Sequence, residues 1–149
     1  AAEDIGLANP NALLMAQTCF EAVNRIGWPE SRIILSEAAI YLANSPKSNS
    51  SYMAIEKALG KVSETGDLPV PLHLRNAPTN LMKEIGYGKE YKYAHDFEGN
   101  FVRDNFLPEA IKGFVFYEPG DNPRETEIRK RLEELWKEIY NYGGSNKGV

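Results

Sequence analysis

Asn9-Pro10-Asn11-Ala12-Leu13-Leu14-Met15-Ala16-Gln17-Thr18-Cys19-Phe20-Glu21-Ala22-Val23-Asn24-Arg25-Ile26-Gly27 is the stretch from which the fold class is read. Asn caps helices and Pro suits a first turn, so Asn9-Pro10 predicts a helix start. Leu13, Ala16, Phe20, Val23 and Ile26 then recur at the three-and-four spacing of one helical face, and Gly27 predicts the stop. Trp28-Pro29 reads as a corner. A second helix is expected from about residue 30 to 44, with Ile33, Ile34, Ala38, Ile40, Tyr41 and Leu42 as a broad apolar face before Pro46. A third starts near Ser48 or Asn49 and carries Tyr52, Ile55, Leu59 and Val62 ahead of Gly66. Short turns between such helices make neighbours antiparallel, as in a helical-hairpin array. Each fully buried Leu, Ile or Phe contributes roughly 1.5–3 kcal/mol, enough in sum to hold a bundle.

At the other end of the chain, Asn122 predicts a cap and Pro123 a first turn. Ile128, Leu132, Leu135, Trp136, Ile139 and Tyr142 form one stripe behind them. That stripe predicts a helix about 30 Å long. Glu125–Arg129, Glu127–Arg131 and Glu133–Lys137 read as favourable pairs one turn apart. Gly143-Gly144 predicts its end, with 145–149 a loose tail.

The middle of the chain has a different character. Pro69 and Pro71 stiffen an extended run, Asn76 and Pro78 open a short helix over 78–85, and Gly86 ends it. Residues 87–117 hold Tyr87, Tyr91, Tyr93, Phe97, Phe101, Phe106, Phe114, Phe116 and Tyr117, while Gly88, Gly99, Gly113 and Pro108 break any long helix. One short helix near 108–112 is expected there, with the aromatic rings anchoring the segment.

The expected fold is therefore all-α: mainly a helical bundle with helical hairpins, plus an irregular aromatic-rich segment with room for one small β-hairpin. Residues 1–66 form the helical array and 67–142 a second region packed with it as one unit, while 143–149 is a flexible tail.

Composition narrows the function classes. A chain of 149 residues with 42% hydrophobic and 26% charged content reads as an ordinary globular protein of one domain, or of one domain with a small appendage. A domain of this size buries roughly 68–70% of its unfolded surface and needs no metal or disulfide staple. The net charge of −4 argues against a dedicated nucleic-acid coat or a polybasic membrane binder. The single Cys19 cannot form an intrachain disulfide, which fits a reducing, cytoplasmic compartment; it reads as a core hydrophobe rather than a reactive thiol. No apolar run reaches the length of a membrane span and no leader-like segment precedes residue 20, so no membrane partner is expected. The start at Ala1 is expected to mark a cut or processed product.

Catalytic patterns are missing. A phosphate loop needs a glycine-rich turn followed by Lys and Ser/Thr; Gly86-Tyr87-Gly88-Lys89 has the wrong spacing and lacks the hydroxyl that would hold magnesium. Two histidines and one cysteine are too few for a structural zinc centre. His73, His95 and Asp96 are the residues from which a metal site would have to be built, and the plainer reading has His95 and Asp96 hydrogen-bonding the aromatic loop into place. No serine sits on a Gly-x-Ser-x-Gly elbow, so a Ser/His/Asp triad is not supported. No catalytic, cofactor-binding or metal residue is assigned.

Lys47, Asn49, Arg75, Asn76, Lys83, Lys89, Tyr91, Lys92 and Tyr93 are the candidate interface or DNA-contact residues. Cations beside aromatics suit phosphate contact and base stacking. Across residues 46–96, however, seven Lys/Arg stand against six Asp/Glu, which favours a solvated mixed surface. Glu3-Asp4 before Ile5-Gly6 reads either as a segment docking on a preceding domain or as the end of a severed helix.

Four blocks carry a resemblance. They are Glu3-Asp4-Ile5-Gly6-Leu7-Ala8-Asn9-Pro10; Ile40-Tyr41-Leu42-Ala43 through Pro46-Lys47-Ser48-Asn49-Ser50; Val70 to Asp96, with His73-Leu74-Arg75-Asn76-Ala77-Pro78-Thr79 and Tyr93-Ala94-His95-Asp96; and Leu107-Pro108-Glu109 with Tyr117-Glu118-Pro119. Together they resemble the C-terminal region of the RarA/MgsA family, clamp-loader-related AAA+ ATPases whose eukaryotic relatives are called Werner helicase-interacting proteins. The resemblance covers nearly all of residues 3–142. Gly120-Asp121-Asn122-Pro123-Arg124 departs from it, since a glycine nearer the helix start would be expected. It implies a mainly helical C-terminal fragment, with ATP and magnesium bound by an ATPase core N-terminal to it. The implied role is assembly, typically as a homotetramer, in a protein acting at stalled replication forks and DNA ends. The implied partners are other copies of the chain, DNA through the full-length protein, and a single-strand-binding protein or helicase. In a bacterium the protein would be nucleoid-associated. The resemblance brings no catalytic residue into this segment.

Overall fold

The computed structural model describes residues 1–142 and is all-helical over them, with no strand. Five α-helices run in chain order: α1 Asn11–Ile26, α2 Ser31–Ala43, α3 Ser50–Thr65, α4 Asn80–Ile85 and α5 Pro123–Trp136. Single 3₁₀ turns at Gly6–Ala8, Leu72–Leu74, Ala94–Asp96, Glu98–Asn100 and Glu109–Ile111 punctuate the rest. The chain divides into two compact units. The first is Ala1–Leu59 with Phe116–Lys130; the second is Gly60–Val115 with the chain from Arg131 on.

In the first unit α1 and α2 form the expected antiparallel hairpin. Asn9, before α1, donates from Nδ2 to Tyr41 Oη and Ser45 Oγ, both at 3.0 Å, at the far end of α2. Midway, the Cys19 thiol points at the Ile34 carbonyl at 3.9 Å. Asn9 was expected to cap α1; its amide ties the hairpin shut instead, and α1 starts without a side-chain cap. Gly27 ends α1 at φ 77°, a conformation that costs glycine nothing. Trp28-Pro29 is a corner, joined by a cis peptide. The small buried residues Ala8, Ala12, Ser31 and Ala38 let backbones approach closely here. Asp4 accepts from the Ser48 backbone N–H at 2.8 Å, and Ile5 beside it is buried. The acidic N-terminal segment thus docks on the loop before α3, within its own unit.

The large members of the helical stripes behave differently. Leu13, Phe20 and Ile26 of α1, Ile33 and Ile40 of α2, and Tyr52, Ile55 and Leu59 of α3 are all exposed. For these residues the expectation of a core within the chain is corrected, whereas Val23, Ile34, Tyr41 and Leu42 of the same stripes are half-buried.

In the second unit α4 is capped by Thr79, whose Oγ1 accepts from Met82 N–H at 3.2 Å, rather than opened by Asn76 and Pro78. Gly86 ends it in the left-handed region at φ 97°. The small hairpin expected between 87 and 117 does not form among the described residues, and the helix expected near 108–112 is a single 3₁₀ turn. Trp136 gathers this unit's rings: Phe101, Phe106 and Tyr140 meet it edge-on, with centroids 4.9, 6.1 and 5.0 Å away. That packing coincides with an early end to α5. Lys137 turns to φ 44°, so the helix spans 14 residues, about 21 Å. The predicted 30 Å rod to Tyr142 is corrected, and the predicted Gly143-Gly144 stop and tail lie outside the described residues.

Candidate functional site

The first unit holds a fully buried carboxylate. Asn122 caps α5 as expected, its Oδ1 accepting from Glu125 N–H at 3.0 Å, and its Nδ2 returns 2.5 Å to Glu125 Oε2. This is a reciprocal cap in which the third helical residue answers the cap residue. Glu125 then reaches beyond its own helix. Its Oε1 accepts from Ser50 Oγ at the start of α3 and from Tyr117 Oη at 2.9 Å. Burial would raise its pKa, but hydrogen bonds from Ser48, Ser50 and Asn122 and from the Gly120 N–H outweigh it and hold the carboxyl at about 2. Gly120 is required here: a Cβ would stand 2.9 Å from Glu125 Oε2.

The spacing predicted a pair between Glu125 and Arg129 one turn along α5. Instead Arg129 donates to the Pro119 and Gly120 carbonyls and pairs with Asp121 at 3.2 Å. None of the three expected one-turn pairs on α5 appears among the ion pairs of the described residues. The missed signal was present in Asn122-Pro123-Arg124-Glu125, which has capping-box spacing.

On the same unit α2 presents an apolar face away from α1. Ala38 and Ser31 are buried, whereas Ile33 is 63% and Ile40 62% exposed. Arg32, Ile33, Ser36, Glu37, Ile40 and Tyr41 share one open face of α2. Arg32 and Glu37 make no ion pair among the described residues.

The nine candidate residues are divided between the units. Lys47 and Asn49 are exposed in the loop between α2 and α3 of the first unit. Asn49 rims a hollow of about 210 Å3 beside the ion pair of Lys57 and Glu118, 2.5 Å apart.

The other seven belong to the second unit. Arg75 is a clamp: Nε donates to the Val70 carbonyl at 2.6 Å and NH1 to Tyr87 Oη at 3.0 Å, with the guanidinium 4.9 Å from the Tyr87 ring centre. A backbone bond from Gly88 N–H to the Leu72 carbonyl, 2.8 Å, closes the same loop. Lys92 pairs with Asp104 at 2.9 Å, and that bond holds the Asp104 carboxyl below its ordinary value. Tyr93 stacks at a tilt on His95, centroids 5.0 Å apart. Asn76, Lys83, Lys89 and Tyr91 are exposed and make no side-chain hydrogen bond or ion pair among the described residues. The candidate set is thus part scaffold (Arg75, Lys92) and part free surface.

His73, His95 and Asp96 do not form a metal-holding group, and no such group of His, Cys, Asp and Glu occurs among the described residues. No helix of the described residues is long and apolar enough to cross a membrane. The Gly86–Lys89 turn follows the C-terminus of α4, where carbonyls rather than amides are unpaired. That end carries the wrong sign for a phosphate, so the turn does not fit a nucleotide.

Over residues 1–136 the chain matches the family described as MgsA AAA+ ATPase C terminal. It is similar to Replication-associated recombination protein A of Coxiella burnetii, 44% identical over 134 residues, 89% of this chain and 30% of that protein. The protein of the same name from Escherichia coli K12 is 39% identical over 142 residues, 95% of this chain and 32% of its own. ATPase WRNIP1 of Dictyostelium discoideum is 43% identical over 119 residues, 79% of this chain and 14% of its own. The chain spans about a third or less of the length of these relatives.

Proposed function

Because the chain belongs to the MgsA/RarA family of AAA+ ATPases as its C-terminal domain, we propose that it is the assembly module of a longer ATPase. That ATPase would act in replication-fork maintenance, recombination and DNA repair. In this reading nucleotide and magnesium chemistry belongs to the part of the longer relatives that this chain does not span. The chain itself brings copies together, as a homotetramer.

The observation that carries the reading is the apolar surface of the α1–α2 hairpin. Leu13, Leu14, Phe20, Ile26, Trp28, Ile33, Leu35 and Ile40 are all about half or more exposed, Trp28 at 75%. Covering the open half of each would contribute roughly 1 kcal/mol, about 8 kcal/mol gross for the eight. Association costs about 4–15 kcal/mol in lost freedom, so the face is useful only where a partner covers most of it at once. A homo-oligomer with closed symmetry does this by presenting the same patch on every copy.

Light scattering across a dilution series tests the reading. The expected mass is near four times 16.7 kDa. A single-copy mass at every concentration overturns it and moves assembly out of this chain.

A second reading has one observation in its favour. Tyr91 and Tyr93 are 58% and 54% exposed, within a few residues of the free Lys89. Exposed rings beside a cation suit base stacking and phosphate contact on a single strand. The reading predicts salt-sensitive binding of single-stranded DNA that Tyr91→Ala with Tyr93→Ala abolishes; no binding at low salt excludes it for this chain. A replication protein such as a single-strand-binding protein or a helicase would be a partner of the same surface.

A further inference from the structure

We infer that the outer face of α2 is a twofold interface in which α2 lies parallel to α2 of a second copy, with Ile33 and Ile40 on the seam and Arg32 of each copy paired with Glu37 of the other. This rests on the self-association reading above and specifies where and how the copies meet.

The face has the pattern of a two-helix seam. Ile33, Ser36 and Ile40 follow one another at spacings of three and four, the apolar positions of a heptad. Arg32 and Glu37 flank them on opposite sides, five residues apart. The buried Ala38 lies on the opposite side of α2 from this seam, and α1 takes up that side. The seam therefore has no partner within the hairpin. Ile33 and Ile40 are β-branched residues at the positions where β-branching favours two strands. Ser36 between them is small enough for the axes to approach.

Charge fixes the occupant and its direction. In a parallel pair, a residue just before one seam position faces the residue five further on in its partner. Arg32 then meets the partner's Glu37, and symmetry makes the ion pair twice. An antiparallel pair that layers Ile33 on Ser36 sets Arg32 opposite the partner's Ala39 and Glu37 opposite the partner's Glu30; it makes no Arg32–Glu37 ion pair and brings two carboxylates together, so it is disfavoured. An unrelated helix would need its own matched acid and base at this spacing, whereas a second copy carries them by construction. The face with its two unpaired, opposite charges is thus complementary to itself in one orientation.

The test is charge reversal read by light scattering and sedimentation. Arg32→Glu and Glu37→Arg each turn two attractions into two repulsions. Each is expected to weaken association about a hundredfold and to halve the mass at a concentration where the unmodified chain is fully assembled. Both sites are exposed, and unchanged helical circular dichroism checks that the fold is kept. The double variant R32E/E37R restores opposite charges across a parallel pair and is expected to regain the original mass. In an antiparallel pair Glu37→Arg meets the partner's Glu30, so that variant gains affinity rather than losing it, which overturns the parallel arrangement. Failure of the double variant to recover overturns the parallel arrangement. Single variants that keep the full mass overturn α2 as the interface, while leaving self-association by another face. If the unmodified chain has a single-copy mass throughout, the assembly reading fails and this inference with it.

Discussion

Replacing Glu125 by Gln removes one charge and almost no volume from the most buried polar site of the first unit. The carboxylate accepts from Ser50, Tyr117 and Asn122 side chains, and the Gly120 N–H also lowers its pKa. Its folded-state pKa is about 2, against an ordinary value of 4.5. A depressed carboxyl contributes stability that is present above the unfolded value and lost as pH falls toward the folded one. The difference of about 2.5 units corresponds to roughly 3 kcal/mol at pH 7. At pH 3 the same linkage leaves roughly 1.5 kcal/mol. The Gln amide accepts through one atom and turns two hydrogens toward groups that are themselves donors, so Glu125→Gln forfeits this stabilisation. Urea unfolding followed by circular dichroism is the assay, at pH 7 and at pH 3. The variant is expected to be less stable by about 3 kcal/mol at pH 7, with the gap closing to about half at pH 3. A gap that is equal at both pH values, or below about 0.5 kcal/mol at pH 7, would refute the argument that this anion joins α5 to the start of α3.

Three further substitutions have expected signs, the first of them at the same site. Gly120→Ala sets a methyl 2.9 Å from Glu125 Oε2 and is expected to destabilise by about 1–3 kcal/mol. Gly60→Ala, inside α3 with no neighbour within 4 Å, is expected to stabilise by about 0.5–1 kcal/mol; thermal melts of the pair would read opposite signs. On the alkaline side, burial raises the Tyr140 phenol above its ordinary 10.0. That stabilisation of the neutral form is present below pH 10 and lost as pH rises through the folded value. Tyr140→Phe is therefore expected to shallow the loss of stability above pH 10, measured as the urea midpoint.

The helices were legible because their local chemistry agrees with their periodicity. Asn122, Gly27 and Gly86 mark ends that the structure keeps. The failures arose where a side chain had a better partner outside its own segment. Asn9 was expected to cap α1, yet its amide finds Tyr41 and Ser45 across the hairpin. Glu125 was expected to pair one turn along α5, yet three donors from elsewhere in the chain surround it. Helix α5 was expected to run to Tyr142, and it stops where Trp136 meets Phe101, Phe106 and Tyr140. Spacing along one helix carries no information about rings brought in from 30 residues upstream. In the candidate set the same blindness made Arg75 and Lys92 look like free cations, when each is committed to its own loop.

The largest gap concerns the stripes themselves, and it bears on function. Periodicity records which face of a helix avoids water, but it does not record which chain covers that face. Leu13, Phe20, Ile33 and Ile40 satisfy every sequence criterion for a core and remain open in the folded chain. The residues that do close the α1–α2 hairpin are small: Ala12, Ser31 and Ala38. A hairpin that needed its large residues for its own cohesion would have turned them inward. One that holds itself together through small residues and the Asn9–Tyr41–Ser45 bonds leaves its large ones for another surface. Single exposed apolar residues need no explanation, but eight of them on one helical hairpin do. Small residues closing the hairpin while several of its large ones stay open is the arrangement that the proposed self-association would use.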